Sequence, residues 1–424
     1  MNAYRLSLFF ILTALLLAFA CNQEDDDGAP CPSATFTWNT PHFSGAGSTM
    51  FLTDENGALL DRLDVESQGQ FALSTEACPG RFDLTLLKVS TTTVAEGGSP
   101  REVSIFELTT ILGAAHGLVW DTLAQSPAAT WEVAVSEVNS LEALRWPAAQ
   151  QEPFGGDAFI DPQAHLLSFG IQVPEGAPAY ATVRANGEAQ ERSIWVEEAR
   201  EGQFSFAYDD LPNPQPFGPI ELPNNGNWRF RIFGQGPFGE ALLDYSYLPD
   251  LVSGSFGLRL PEEGPDGFRL LVEEANTFEG YAFSANRYNQ LVDGLPARLP
   301  VSSAQFSLER EGDTVQVTTT AAPPEVYRLR IVEETGDGPW LHWTVLGTPE
   351  QMKAFVLPQW PELLSVTRAT FLGGSRSPVA LLSALSFERP PGYEAFIEAQ
   401  ARKTPNWEAA QGLIERSRAF RFEP

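Results

Sequence analysis

Four histidines, His42, His116, His165 and His342, are the first residues to weigh for chemistry, and they lie far apart in the chain. None belongs to an HxH or HExxH pair, and beyond Cys21 only Cys31 and Cys78 supply thiols. A tetrahedral zinc site needs several such donors converging, so no metal site is expected. Gly373-Gly374-Ser375-Arg376-Ser377 departs from the nucleophile-elbow pattern at its last position, where that turn needs glycine. No GxxxxGK occurs, and no GxGxxG opens a helix after a strand, so the glycine-rich phosphate cradles are missing. Two carboxylates about 5–10 Å apart are the equipment of a glycosidase. With 55 Asp and Glu, adjacency in sequence says little, because neighbours in a strand point to opposite faces. We expect no catalytic residues and no cofactor.

Aromatic residues offer a second kind of chemistry. Of the ten tryptophans, Trp340 and Trp343, which flank His342, and Trp360, beside Pro361, are the best placed to stack on the apolar faces of sugar rings. The competing reading is that these indoles fill sandwich cores and seal strand ends, as large aromatics routinely do.

The rest of the composition bounds the partners. A formal net charge of −28 and a pI near 4.4 make a field that repels nucleic acid and anionic lipid headgroups. Solubility is the plain reading of that charge. Only Lys88, Lys353 and Lys403 stand against 24 arginines, a bias without a physical account at this stage. An apolar fraction of 43%, with 29 Phe, supplies ample material for packed cores.

The elements that must position these residues read as short strands. Thr35–Trp38, Met50–Thr53, Leu59–Val65, Phe71–Ser74 and Phe82–Val89 are separated by turn chemistry such as Asp54-Glu55-Asn56-Gly57. Strict alternation in Phe82-Asp83-Leu84-Thr85-Leu86 predicts a half-buried strand. A first sandwich is expected over 33–147, closing with Trp131-Glu132-Val133-Ala134-Val135, followed by a Pro/Gly/Gln-rich linker. A second spans 157–249, with the proline-bearing stretch from Asp209 to Asn227 as a long loop. A third spans 251–424, and it ends in helices. Tyr393, Phe396, Ile397 and Gln400 fall at helical spacing, and Thr404 and Pro405 predict the cap and first residue of a second short helix burying Trp407, Ala410 and Ile414. A strand is also expected over Ser365–Leu372, and another around Phe420 and Phe422. The fold class is therefore mainly β, in tandem sandwich-like units with a short helical segment near the C-terminus.

One pattern recurs through the units. Val65-Glu66, Val196-Glu197-Glu198, Val272-Glu273-Glu274 and Val332-Glu333-Glu334 each precede a glycine-bearing turn and an aromatic strand. This predicts hairpins whose acids sit where the strand exits into water. The acids could alternatively gather Ca²⁺, although no D-x-[DN]-x-[DN]-G loop accompanies them.

The N-terminus supplies an address. Fifteen residues, Leu6 to Ala20, are apolar apart from Ser7 and Thr13, and they follow a short head with Arg5. Such a run is too short to span hydrocarbon, for which about 20 residues are needed, and its layout is that of a signal peptide over 1–20. Ala18-Phe19-Ala20-Cys21 resembles a lipobox, the recognition sequence of bacterial lipoproteins. The resemblance implies cleavage before Cys21 and lipid on its thiol and new amino group. Asn22-Gln23-Glu24-Asp25-Asp26-Asp27, within an acidic tether over 21–32, resembles the export tag of surface-exposed Bacteroidetes-type lipoproteins. Phe51 to Leu73, with Asp54-Glu55-Asn56-Gly57 and Gly69-Gln70-Phe71, resembles the carboxypeptidase regulatory-like modules of secreted proteins, also Ig-like sandwiches and usually structural spacers.

With Cys21 assigned to lipid by that resemblance, Cys31 and Cys78 remain as an even pair in an oxidising compartment and are expected to form a disulfide. It would close a loop of about 47 residues, worth roughly 4 kcal/mol in the chain-entropy model. The expectation is a protein lipid-anchored in the outer membrane and exposed at the cell surface, non-catalytic, acting as a binding or spacer protein. Its partners are the membrane, through the lipid, and a glycan or another surface protein. The alternatives are a glycan-binding lipoprotein of a polysaccharide-utilisation system and, behind it, a hydrolase.

Overall fold

The computed structural model describes residues 34–39, 48–65, 70–75, 81–96, 99–114, 119–120, 128–145, 159–174, 176–198, 202–222, 226–251, 255–261, 263–278, 281–292, 298–300, 302, 304–321, 323–334, 339–361, 371–372, 378–402, 404 and 406–421. The first stretch carries β1 (Ala34–Asn39), β2 (Ser48–Thr53), β3 (Leu59–Val65), β4 (Gln70–Thr75), β5 (Asp83–Glu96), β6 (Ser99–Ile111) and β7 (Val119–Trp120). Next come β8 (Ala128–Ser136), β9 (Leu141–Arg145), β10 (Phe159–Asp161), β11 (Leu166–Pro174), β12 (Ala179–Ala185), β13 (Arg192–Val196) and β14 (Gly202–Ala207). They are followed by β15 (Gln215–Glu221), β16 (Gly226–Gly236), β17 (Gly239–Leu251), β18 (Ser255–Leu260), β19 (Gly267–Phe278) and β20 (Tyr281–Val292). The last stretch holds β21 (Phe306–Glu311), β22 (Thr314–Thr319), β23 (Val326–Glu333), β24 (Trp340–Gly347), α1 (Pro349–Met352), β25 (Phe355–Val356), β26 (Val379–Phe387), α2 (Tyr393–Ala401), α3 (Trp407–Gln411) and β27 (Leu413–Arg421).

The protein is mainly β, with sandwich packing and two short helices near its C-terminus. Twelve strands form one sheet in the order β17-β16-β19-β20-β27-β26-β23-β24-β6-β5-β2-β3. Neighbours run antiparallel except β6 and β24, whose parallel register runs from Ile105 opposite Trp340 to Ile111 opposite Leu346. Strands from both ends of the sequence therefore share one sheet. Between them in sequence lies a smaller sandwich, in which β10-β11-β8-β14 faces β13-β12-β9. Its core is Val133, Val135, Leu167, Phe169, Ala181, Val183 and Ile194, all buried.

These pairings cut across the expected divisions. β8 and β9 precede the 147 boundary, yet β8 pairs with both β11 and β14, and β9 pairs with β12. Strands from 33–147 and 251–424 meet at the β6–β24 junction. Local hydrophobic patterning marks where strands are, but it carries no information about which distant strand completes a ladder.

One face of the twelve-stranded sheet is closed by the β21-β22-β25 sheet. Phe51, Phe106, Leu108, Tyr327, Leu329, Ile331, Trp343 and Val345 meet Phe306, Val315, Val317 and Phe355 there. Farther along, β15 and β18 cover Phe230, Ile232, Leu270 and Val272 with Ile220, Phe256, Leu258 and Leu260. On the opposite face, α2 lays Phe396 and Ile397 over Leu385, Phe387 and Leu413, with Trp407 packed beside them. Strands covered on both sides lose their alternation: β2 is buried throughout, and Asp83, Leu84, Thr85, Leu86 and Leu87 are all buried.

Several local expectations change for the same reason. The stretch expected as a long loop contains β15, whose Pro216 and Pro219 are tolerated because β18 is its only described ladder partner. Helix α3 starts at Trp407 with Asn406, at φ 54°, as its cap, rather than with Thr404 and Pro405. Ile414 lies in β27 and packs with the β16–β19 core, not on a helix. The recurring pattern makes true hairpins at β19–β20 and β23–β24, whereas β3 and β4, and β13 and β14, lie in different sheets. Its acids divide: Glu197 and Glu334 are exposed at strand ends as expected, whereas Glu274 and Glu333 are buried, 6% and 2% exposed. The strand expected at Ser365–Leu372 falls mostly outside the described residues, and the described Phe371 and Leu372 are helical and buried rather than extended.

Candidate functional site

The three tryptophans singled out for stacking do not form one platform. Side chains alternate along β24, so Trp343 points to the apolar face with Leu341 and Val345, and Trp340 points the other way with His342. Trp343 is 1% exposed and its Nε1–H donates to Thr110 Oγ1 at 2.9 Å. A ring so enclosed offers no face to a sugar, and the ligand-binding expectation for Trp343 is corrected to core packing. Trp360 packs edge-on to Trp343, with ring centroids 5.9 Å apart, and lies 5.8 Å from Phe371. Trp340 and Trp360 are half-buried, and each has a buried indole nitrogen with no hydrogen-bond acceptor. Buried donors are ordinarily paired, so these two stand out.

Histidine chemistry is spread as widely in space as in sequence. His342 Nε2 lies 2.6 Å from Glu334 Oε1 at a half-exposed site. His165 pairs with Asn139 in the small sandwich, in a left-handed backbone conformation. His42, His116 and the Gly373–Ser377 stretch lie outside the described residues, as do Cys21, Cys31 and Cys78. Among the described residues no three His, Cys, Asp or Glu side chains are grouped to hold a metal ion.

The most concentrated set of charges was not visible in the sequence. Antiparallel pairing of β20 with β27 sets Arg287 opposite Glu415, and pairing across β23, β26 and β27 sets Arg328, Ser383 and Ser417 in one row. Arg328 Nη2 lies 2.8 Å from both Glu415 oxygens, and Arg287 Nη1 lies 3.3 Å from Oε2. Helix α3 contributes Glu408, 3.1 Å from Arg287 and 3.9 Å from Arg328, and Glu273 closes the far side, 3.5 Å from Arg287. Ser417 donates to Glu415 at 3.2 Å, and Ser383 and Ser417 share a 2.7 Å hydrogen bond.

Burial by itself would raise the Glu415 pKa, but the guanidinium groups of Arg328 and then Arg287 outweigh it and hold the carboxyl well below the usual range. Arg330 shares this face, and the neighbouring charge of Arg328 pushes its pKa down to about 10. Two guanidinium groups, Arg287 and Arg328, thus meet three carboxylates, Glu273, Glu408 and Glu415. This ion-paired set clamps α3 onto the sheet, and the two arginines keep Glu415 ionised at neutral pH.

A second buried carboxylate behaves oppositely. Asp83 is 1% exposed, accepts from Gly113 N at 2.8 Å and pairs with Arg81 Nε at 2.9 Å. Burial raises its pKa more than Arg81 lowers it. The only sequence signal for either site was an arginine near a carboxylate, and Arg81 and Asp83 alone are close in the chain. Compared with known proteins, the chain matches no family model and no curated relative.

Proposed function

We propose that the chain is a lipid-anchored protein of the outer membrane, displayed at the cell surface, which acts without catalysis as a binding or spacing body. The observation that carries this reading is the run from Leu6 to Cys21 followed by the acidic tether: twelve residues separate Cys21 from β1. The mutual pairing of the buried charges Arg287, Arg328, Glu408 and Glu415 supports a mechanical rather than chemical role for them. In cells, Cys21→Ala is expected to abolish lipid labelling and release the protein from the membrane fraction. A labelled, membrane-bound mutant overturns the anchor. Replacing Glu24, Asp25, Asp26 and Asp27 by Ala should preserve lipidation and reduce cleavage by external protease, and unchanged cleavage removes the surface display alone.

A second reading, glycan binding, rests on the half-buried rings of Trp340 and Trp360, whose exposed portions could stack on the apolar face of a sugar. Oligosaccharide titration followed by tryptophan fluorescence tests it. A saturable change lost in Trp360→Ala or Trp340→Ala supports the reading, and no change across a polysaccharide panel removes it.

A further inference from the structure

The sheet β13-β12-β9 of the small sandwich uses both of its faces. Ala179, Ala181, Val183, Ile194 and Val196 point into its own core. Tyr180 and Trp195, paired across β12 and β13, point out of the other face and join the core of the twelve-stranded sheet. Trp195 enters a socket lined with glycine. A Cβ at Gly234 would lie 2.9 Å from the far edge of the indole, and one at Gly264, where φ is +115°, would lie 2.4 Å from Cδ1. Gly236 adds a third open wall, 3.5 Å from the ring, and Pro265 and Pro178 border the space. Gly234, Gly236 and Gly239 have the GxGxxG spacing, yet they sit in and around the β16–β17 hairpin, where no helix follows to hold a phosphate. Two of these glycines are explained by the indole instead. The Trp195 nitrogen is buried without an acceptor, so shape alone holds the ring.

We infer that Trp195 in its glycine socket is a latch that locks the small sandwich rigidly onto the twelve-stranded sheet. Because the contact is steric, it is all-or-none: a ring either fills a closely fitted socket or leaves it. With the latch seated, the protein presents one rigid body. With it empty, the sandwich keeps its own core and moves relative to the sheet.

The test uses the full mature chain with nitroxide labels at exposed Gln163 in the small sandwich and exposed Glu309 in β21, the native cysteines replaced by serine. The inter-label distance distribution is expected to be narrow, and to broaden at least about twofold in Trp195→Ala, while amide-exchange protection of β8 and β11 persists. Gly234→Ala fills the socket without touching the small core and should broaden the distribution similarly. The double variant should be no broader than either single one, because both act through one contact. A distribution left narrow by Gly234→Ala, or broadening that adds in the double variant, overturns the latch. If Trp195→Ala abolishes protection of β8 and β11, Gly234→Ala alone decides the matter.

Discussion

The two faces of the twelve-stranded sheet are closed by different physics. On one, the β21-β22-β25 sheet seals a continuous apolar layer in which even Trp343 satisfies its polar atom internally, through Thr110. On the other, α2 supplies an apolar cover over Leu385, Phe387 and Leu413, and beside it α3 closes the sheet through charge. The apolar face gains from every methylene it buries, at about 25 cal/mol per Å², and tolerates small shifts. The ionic face works only if each partner is present, since a buried charge without its counter-ion costs more than the pair gains. The first is a gradual glue, the second a conditional one.

Truncating the centre of the apolar layer is expected to have the largest effect. Trp343→Ala removes the indole and its hydrogen bond to Thr110 and opens a cavity, and should cost about 4 kcal/mol in urea unfolding. Next comes the ionic face. Arg328→Met leaves Glu415 buried with only part of its compensation and should cost about 3 kcal/mol. Adding Glu415→Leu to it should recover most of the loss. If the double variant is as unstable as the single one, the distinction between glue and conditional pair fails.

The pH dependence sharpens the comparison, because the two buried carboxylates lean in opposite directions. Glu415 titrates lower in the folded protein than its unfolded value of about 4.3. Its contribution is therefore complete above that value and is lost as pH falls through the folded pKa. Asp83 titrates higher when folded than its unfolded value of about 3.9, so its contribution is complete below that value and lost as pH rises through the folded pKa. Urea midpoints measured from pH 3 to 7 should lose part of their acid-side decline in Glu415→Gln. They should climb more steeply toward neutral pH in Asp83→Asn. Parallel shifts in both variants would contradict these opposed signs.

The smallest effect concerns the hinge between the two kinds of closure. Tyr393 at the start of α2 places its hydroxyl 2.9 Å from the carbonyls of both Leu112 and Leu346, at the end of the parallel β6–β24 junction. Tyr393→Phe should cost about 1 kcal/mol in the same unfolding experiment, leaving the apolar contacts of α2 intact.

Most strands were legible because their apolar residues and turn signals are local: β1, β2, β3 and β4 fall where the residue pattern predicts them. The tryptophan platform was misjudged because three residues of separation in a strand reverse the direction of a side chain, which separates Trp340 from Trp343. The Arg287–Glu415 and Arg328–Glu415 pairs span 128 and 87 residues of chain, and no local pattern links such partners. The glycines around Trp195 illustrate the same limit. Their spacing is plain in the sequence, but the indole that explains Gly234 comes from another sheet.

By itself the sequence determined the β character, the helices near the C-terminus and the signal-like N-terminal run, since each depends on residues within a turn or two of one another. Tertiary structure decided that β6 lies beside β24, that both faces of the large sheet are covered, and that Glu415 is flanked by two arginines. Those outcomes depend on which strand edges meet. Every exposed ladder edge offers the same N–H and C=O groups, so the choice among partners is made by the whole set of packed faces at once.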